Sequence, residues 1–225
     1  SSFVPAYSWS ETVSVTVTEE ACNSLTNEKN GNVYLLFDTS KDYKGAKEYC
    51  ESLGGHLATI TSAEEQEIIT DLCKSGNNEN YWLGGTDEAS EGVWKWITGE
   101  KWSYTNWNPK QPDNSEGKEN YLHYINATND WNDTNSSIQM GFICEIEQKT
   151  IASSVKKGIK YNGHKYILLD QSLPWTEAKK YCEAVGGHLV TINSADENSI
   201  ISSLISDGTK SRYWLGATSE NDNKW

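Results

Sequence analysis

Apolar residues recur at helical spacing in two early stretches of the chain and then change period. Ala46, Tyr49, Cys50 and Leu53 fall at i, i+3, i+4 and i+7, one face of a helix that must end at Gly54-Gly55. Ser62, followed three residues later by Glu65, makes a capping box ahead of Ile68, Ile69, Leu72 and Cys73 and predicts a second helix. From Tyr81 onward, aromatic and β-branched runs are broken by Gly, Asn, Asp and Pro, which predicts short strands joined by long loops. Residues 12 to 18 alternate hydroxyl residues with valine and read as a strand that closes a preceding domain or pairs with this one. Residues 151–159, IASSVKKGI, read as a linker.

The pattern then starts again. Moving the chain along itself by 132 positions lays Tyr34 on Tyr166, Cys50 on Cys182, the GGHL at 54–57 on that at 186–189, and Trp82 on Trp214. SAEEQEII at 62–69 falls on SADENSII at 194–201, so Ser194 and Glu197 repeat the capping box. A period this long means duplication of a whole domain, since solenoid units run to about 20 to 50 residues. The second copy reaches Lys224-Trp225, the counterpart of Lys95-Trp96, before any counterpart of the later strands. Residues 160–225 are therefore expected to form the N-terminal half of a truncated second domain.

Composition changes this picture in two respects. Lys and Arg total 19 against 32 Asp and Glu, a net charge of −13, which argues against nucleic acid or an anionic membrane as partner and suits cation binding. No apolar run approaches the about 18 residues of a spanning helix, so direct membrane insertion is not expected. Ten tryptophans exceed what a plain core needs, which leaves some for a ligand surface.

The densest candidate chemistry lies between residues 111 and 133. Gln111-Pro112-Asp113, Glu119 and Asn132-Asp133 supply three carboxylates and two amide oxygens. Calcium is a hard cation that takes six to eight oxygen ligands and needs no His or Cys. Positions left over would serve water or the hydroxyls of a ligand. Catalysis is not expected, because carboxylates holding an ion stay ionised and donate protons poorly. His123 is the one histidine near these residues, and His56 and His188 recur at repeat positions that look structural.

Around this stretch stand EYCESLGGHLATI with Cys50, YWLGG with Trp82, the WKW of Trp94 to Trp96, and GFICE with Cys144, in that order. The succession resembles the C-type lectin-like domain, in the calcium-dependent carbohydrate-recognition type with a QPD motif. The resemblance covers residues 28–150 as a complete domain, with 1–27 left as an N-terminal strand or linker segment. It implies an α+β fold: two helices, small antiparallel sheets and a long loop region holding Ca2+. It also implies a core disulfide between Cys50 and Cys144, closing a loop of about 95 residues, and with it an extracellular or cell-surface setting.

Carried over residue by residue, the resemblance makes Gln111, Asp113, Glu119, Asn132 and Asp133 the metal ligands. The first four of these would also hydrogen-bond sugar hydroxyls, and Pro112 would follow a cis bond. Asp87, Glu91, Asn114 and Asn120 occupy the positions of a second metal site, with amides where carboxylates are frequent. The QPD order hints at galactose or N-acetylgalactosamine, although Asn114 and Ser115 stand where strong galactose binders carry a stacking tryptophan. Trp107, Tyr121 and Tyr124 are the aromatic side chains that could replace it, with a packing role favoured for Trp107. A second disulfide of the family is missing, since Tyr121 and Ser136 stand where its cysteines would be. Calcium is therefore expected to do more of the ordering of those loops. Cys182 is the counterpart of Cys50, and Cys73 reads as a buried thiol in preference to a bridge with Cys22.

The leading expectation is calcium-dependent binding of glycans, terminal sugars on host or microbial surfaces, by a secreted or cell-surface adhesin. The alternative is a protein-binding domain of the same fold in which calcium is only structural. Asn126-Ala-Thr128, Asn132-Asp-Thr134 and Asn135-Ser-Ser137 are formal glycosylation sequons, and a glycan on Asn132 would destroy the metal site. That conflict favours a bacterial surface protein.

Overall fold

In the computed structural model, residues 23–150, 158–170, 173–184 and 187–217 are described; the alternating segment 12–18 and Cys22 lie outside them. The first half runs β1 (Asn23–Thr26), β2 (Val33–Lys41), α1 (Tyr43–Ser52), β3 (His56–Leu57), α2 (Ala63–Cys73), β4 (Asn80–Thr86) and β5 (Lys95–Trp96). A 3-10 turn at Ser115–Gly117 precedes β6 (Tyr121–Ile125), β7 (Asp130–Thr134) and β8 (Met140–Ile146). The second half supplies β9 (Ile159–Tyr161), β10 (His164–Tyr166), α3 (Trp175–Ala184) and α4 (Ala195–Ile205). Ile159, read as the end of a linker, is thus already in a strand.

Both predicted helices form, and their caps explain where they begin. Asp42 accepts the Gly45 N–H at 2.7 Å to start α1, and Ser62 accepts the Glu65 N–H at 3.2 Å to start α2. The return half of the box is displaced by one residue: Glu65 Oε2 takes the Thr61 N–H at 2.7 Å in place of that of Ser62. The second copy repeats the displacement, with Glu197 Oε2 accepting from Asn193 N at 2.7 Å. Gly54 ends α1 with φ at 80°, and a Cβ on Gly55 would lie 2.2 Å from the Glu145 carbonyl oxygen, so the chain can enter β3 only through glycine.

Eight strands form one sheet in the order β1-β2-β8-β4-β6-β7, with β3 on β8 and β5 on β4. Only the β4–β8 pairing is parallel among the described strands. β1 lies inside the segment read as N-terminal strand or linker and pairs with β2 in this sheet. The Cys50–Cys144 disulfide ties α1 to β8, and both cysteines are fully buried. One core cluster gathers Val33, Leu35, Phe37, Phe142 and Cys144 against α1; the other gathers Ile69, Leu72, Leu83, Trp96 and Trp131 against α2.

The duplication is visible in side-chain detail as well as in the chain trace. Asp38 accepts from the Tyr81 hydroxyl at 2.7 Å and the Asn77 N–H at 2.9 Å, which fastens the turn after α2 to the end of β2. Asp170 takes the Tyr213 hydroxyl at 2.6 Å and the Thr209 N–H at 2.9 Å in the same way. Burial opposes ionisation of Asp38, but the hydrogen bonds from Tyr81, Asn77 and Asn78 outweigh it and hold its carboxyl below the usual 3.8.

The two copies differ in what covers their apolar faces. Trp82 and Leu83 are fully buried, whereas their counterparts Trp214 and Leu215 are 53% and 40% exposed. Cys182 is a free, half-buried thiol, and Cys73 is a free thiol at the core. Iodoacetamide applied to the folded chain at mildly alkaline pH is expected to modify Cys182 while sparing Cys73, as read by peptide mass mapping. Burial pushes both thiols above their ordinary value, so exposure decides the contrast. Cys73 modified as fast as Cys182 would mean that α2 does not pack as described.

Candidate functional site

β7 is the element that builds the site, and it is clamped from both edges. On one side it pairs in register with β6, placing Asn132 beside His123 and Asp133 beside Leu122. On the other, the Trp131 N–H donates to the Asn106 carbonyl at 2.9 Å and the Asn108 N–H donates to the Trp131 carbonyl at 2.8 Å. Asn108 also donates its amide to Asp130 Oδ2 at 2.8 Å. The strand alternates, so Trp131 and Asp133 point inward and are fully buried.

Trp131 is the anchor of this arrangement. Its indole N–H donates to Gln66 Oε1 of α2 at 2.8 Å, and Gln66 Nε2 donates to the Asn129 carbonyl at 3.1 Å. The rings of Trp96, Trp102, Tyr104 and Trp107 have centroids 5.8 to 6.0 Å from that of Trp131. The tryptophan surplus of the first half is thus spent largely on packing under β7.

Onto this strand folds the loop that begins with Gln111, and the Gln111–Pro112 bond is cis. Asp133 receives the loop's backbone with both carboxylate oxygens: Asp113 N–H donates to Oδ1 at 3.2 Å and Asn114 N–H to Oδ2 at 2.8 Å. Ser115 N–H donates to Glu119 Oε2 at 2.8 Å. Carboxylate oxygens of Asp113, Glu119 and Asp133 come within 4.8 Å of one another. Burial, followed by repulsion from Asp133 and Asp113, holds the Glu119 carboxyl above the usual 4.5, against the pull of the Ser115 N–H.

Two amide oxygens of the expected ligand set lack partners. Gln111 Oε1 and Asn132 Oδ1 are both buried atoms with no hydrogen-bond donor. A buried acceptor without a donor costs about 1 to 3 kcal/mol, so these atoms are of the kind that a cation satisfies. Three carboxylates plus two free amide oxygens are a hard, oxygen-only donor set that suits calcium, and imidazole and thiolate are absent from it.

The second-metal positions are arranged differently. Asp87 is buried, with Oδ2 accepting from Gly92 N–H at 2.8 Å and Oδ1 unpartnered, while Glu91 is exposed. Asn114 directs its amide oxygen to the Glu119 N–H at 3.0 Å, and the Asn120 carbonyl accepts from Thr86 Oγ1 at 2.8 Å and Asp87 N at 3.2 Å. Among the described residues, Asp113, Glu119 and Asp133 are the one group of three metal-binding side chains at such spacing.

Of the aromatic candidates for sugar stacking, two are committed elsewhere. Tyr124 is fully buried and donates its hydroxyl to Asn129 Oδ1 at 2.8 Å, and Trp107 packs on Trp94 with centroids 4.8 Å apart. Tyr121 is half-buried on the Tyr43 ring at 4.4 Å. His123 is buried against Trp82, which pushes its pKa down to about 4 and keeps it neutral.

Tyr43 adds protein contacts at the two positions where the second disulfide is missing. Its ring packs on Tyr121 and its N–H donates to the Ser136 carbonyl at 3.0 Å, so the start of α1 touches both positions of the missing bridge. β6 and β7 zip together beside it, from Tyr121 opposite Thr134 to Ile125 opposite Asp130. Protein contacts hold this region. A Tyr seven residues before Cys50 carries no sequence signal for that role, and neither does Gln66.

Two helices on a curled sheet, with a long loop and the penultimate strand of the first half meeting at a polar site, define the C-type lectin fold. The chain belongs to the C-type lectin domain family, whose lectin C-type domain matches residues 39–146 and again 171–225. The two matched segments carry the duplication read from the sequence. An alpha-N-acetylgalactosamine-specific lectin of Patiria pectinifera is 32% identical over 126 residues, spanning 52% of this chain and 75% of that protein. The galactose-specific lectin nattectin of Thalassophryne nattereri is 35% identical over 107 residues, 47% of this chain and 67% of that one. The solved human scavenger receptor C-type lectin carbohydrate-recognition domain matches with a TM-score of 0.50 at 31% identity, covering 55% of this chain and 95% of its own.

These relatives are lectins, proteins that bind and do not catalyse, as expected of this chain. They come from animals and give no support to a bacterial source. The sequon reasoning fails on a physical point, because the presence of a sequon does not mean its use. Asn132 sits within β7, with its side-chain oxygen buried. Among the described residues no helix is long and apolar enough to cross a membrane.

Proposed function

We propose that residues 28–150 form a calcium-dependent carbohydrate-recognition domain of galactose or N-acetylgalactosamine type, followed by the N-terminal half of a second such domain. The observation that carries this reading is the convergence of the Asp113, Glu119 and Asp133 carboxylates, supported by buried, unpartnered oxygens on Gln111 and Asn132 of the same expected ligand set. A calcium ion held by these five would neutralise the carboxylates' repulsion and present open coordination positions to two neighbouring sugar hydroxyls. Gln111, Asp113, Glu119 and Asn132 would complete the sugar's hydrogen bonds, amides donating and carboxylates accepting. The QPD order and the two relatives named for galactose-type sugars support that class of ligand. The buried Cys50–Cys144 bridge fits an oxidising, extracellular or cell-surface setting.

The test is retention of the chain on immobilised terminal N-acetylgalactosamine and galactose, in calcium and again in chelator. Retention in calcium that is lost in chelator is expected. Retention unaffected by chelator would sink the metal-bridged mechanism. No retention on any glycan, with a melting point that still rises in calcium, would replace it with a protein-binding domain that uses the ion structurally.

A further inference from the structure

Asn114 stands between the two carboxylates that the loop must bring together, and three of its polar groups are engaged. Its N–H donates to Asp133 Oδ2 at 2.8 Å, its side-chain oxygen accepts the Glu119 N–H at 3.0 Å, and its carbonyl accepts the Gly117 N–H at 2.8 Å. It sits in the left-handed region, φ 43° and ψ 53°, which Asn, Asp and Gly tolerate better than other residues. Between its two ends the chain turns through Ser115–Gly117, where Glu116 and Gly117 also have positive φ.

We propose that Asn114 is a positioning residue for the ion site: its amide oxygen sets the backbone of Glu119 and thereby the place of that carboxylate opposite Asp113 and Asp133. This rests on the calcium reading above. Three carboxylates within 4.8 Å repel one another, and Glu119, between the Ser115–Gly117 turn and β6, has a backbone freedom that strand pairing denies to Asp133. Asn114 removes that freedom by joining Glu119 to Asp133 through a single residue. It does so as a neutral side chain, adding no fourth negative charge. The family resemblance placed Asn114 in a second metal site; the geometry gives it work at the first one.

The test compares three proteins, wild type, Asn114→Gly and Asn114→Asp, by calorimetric calcium titration and by thermal melting in chelator. Glycine keeps the backbone conformation and deletes only the acceptor, so its calcium Kd is expected to rise about tenfold, the scale of one hydrogen bond. Its melting point in chelator should stay within about 2 °C of wild type, because the turn is at the surface. Aspartate retains the acceptor and is expected to bind calcium at least as tightly as wild type.

Wild-type affinity in Asn114→Gly would overturn the proposal, and so would Asn114→Asp binding as weakly as glycine. A chelator melting point that falls in step with affinity would mark Asn114 as merely structural. If wild type itself gave no calcium signal, the ion reading would fall first and carry this proposal with it.

Discussion

Replacing Asp133 by asparagine is expected to weaken calcium binding by at least about 100-fold and to abolish chelator-sensitive retention on glycans, the largest loss from any single polar atom in the site. Asp133 is fully buried, and its two oxygens receive backbone N–H groups from Asp113 and Asn114 at 3.2 and 2.8 Å. Asparagine turns one of those acceptors into an NH2 group facing a donor. Hydrogen bonds to a charged group are worth about 1.5 to 3 kcal/mol each, and a lost buried partner leaves the remaining one unsatisfied. The change also removes one of three negative charges facing the cation, the charge least screened by solvent. Both effects act in the same direction. Denaturant unfolding in chelator reads the first, the unfolding free energy being expected to fall by about 1 to 3 kcal/mol, and calorimetric titration reads the second. Asp133→Asn with calcium affinity within threefold of wild type would show that the ion, if bound, is held elsewhere.

What was legible in the sequence was local. The face of α1, the capping box of α2 and its repeat at Ser194 and Glu197 are spacing signals, and each appears as an element, α1 with the expected end and the other two with the expected start. The repeat itself was legible because identical residues recur at one offset. The candidate ligands were legible as an oxygen-rich stretch and their roles only through resemblance; what brings the Asp113 and Glu119 carboxylates to Asp133 is the folding of the loop back onto β7.

Sequence reasoning failed where the direction of a side chain depends on nonlocal pairing. Tyr121 and Tyr124 lie on one strand, yet register with β7 leaves the first half-exposed and sends the second, opposite Trp131, into the core. The parallel contact of β4 with β8 has no local signature either, although it places Trp82 against Phe142 and buries it. The resemblance placed Asn114 at a second metal position, and the donor its side-chain oxygen meets, the Glu119 N–H, has no signature in the sequence. The tie between Tyr43, Tyr121 and Ser136 has no local signature either.

Removing the remaining disulfide separates stability from site geometry. Changing Cys50 and Cys144 together to alanine is expected to cost about 4 to 5 kcal/mol of unfolding free energy, because the bridge closes 94 residues of chain and its loss restores that freedom to the unfolded state. Domains of this kind are stable by about 5 to 15 kcal/mol in all, so about a quarter or more of the margin would go. Calcium at 100 times its Kd returns only about 2.7 kcal/mol by mass action, less than the loss. The variant should therefore unfold at lower guanidinium than wild type even in saturating calcium. Its calcium Kd at low temperature should nonetheless match wild type, since the bridge joins α1 to β8 while the ion site is built from β7 and the loop that follows Gln111. An unfolding free energy within about 1 kcal/mol of wild type would mean that β8, paired with β2 and β4, holds without the bridge. A Kd that worsens in parallel with stability would mean that the site and the core open together, and the loop could no longer be treated as a platform resting on an independent scaffold.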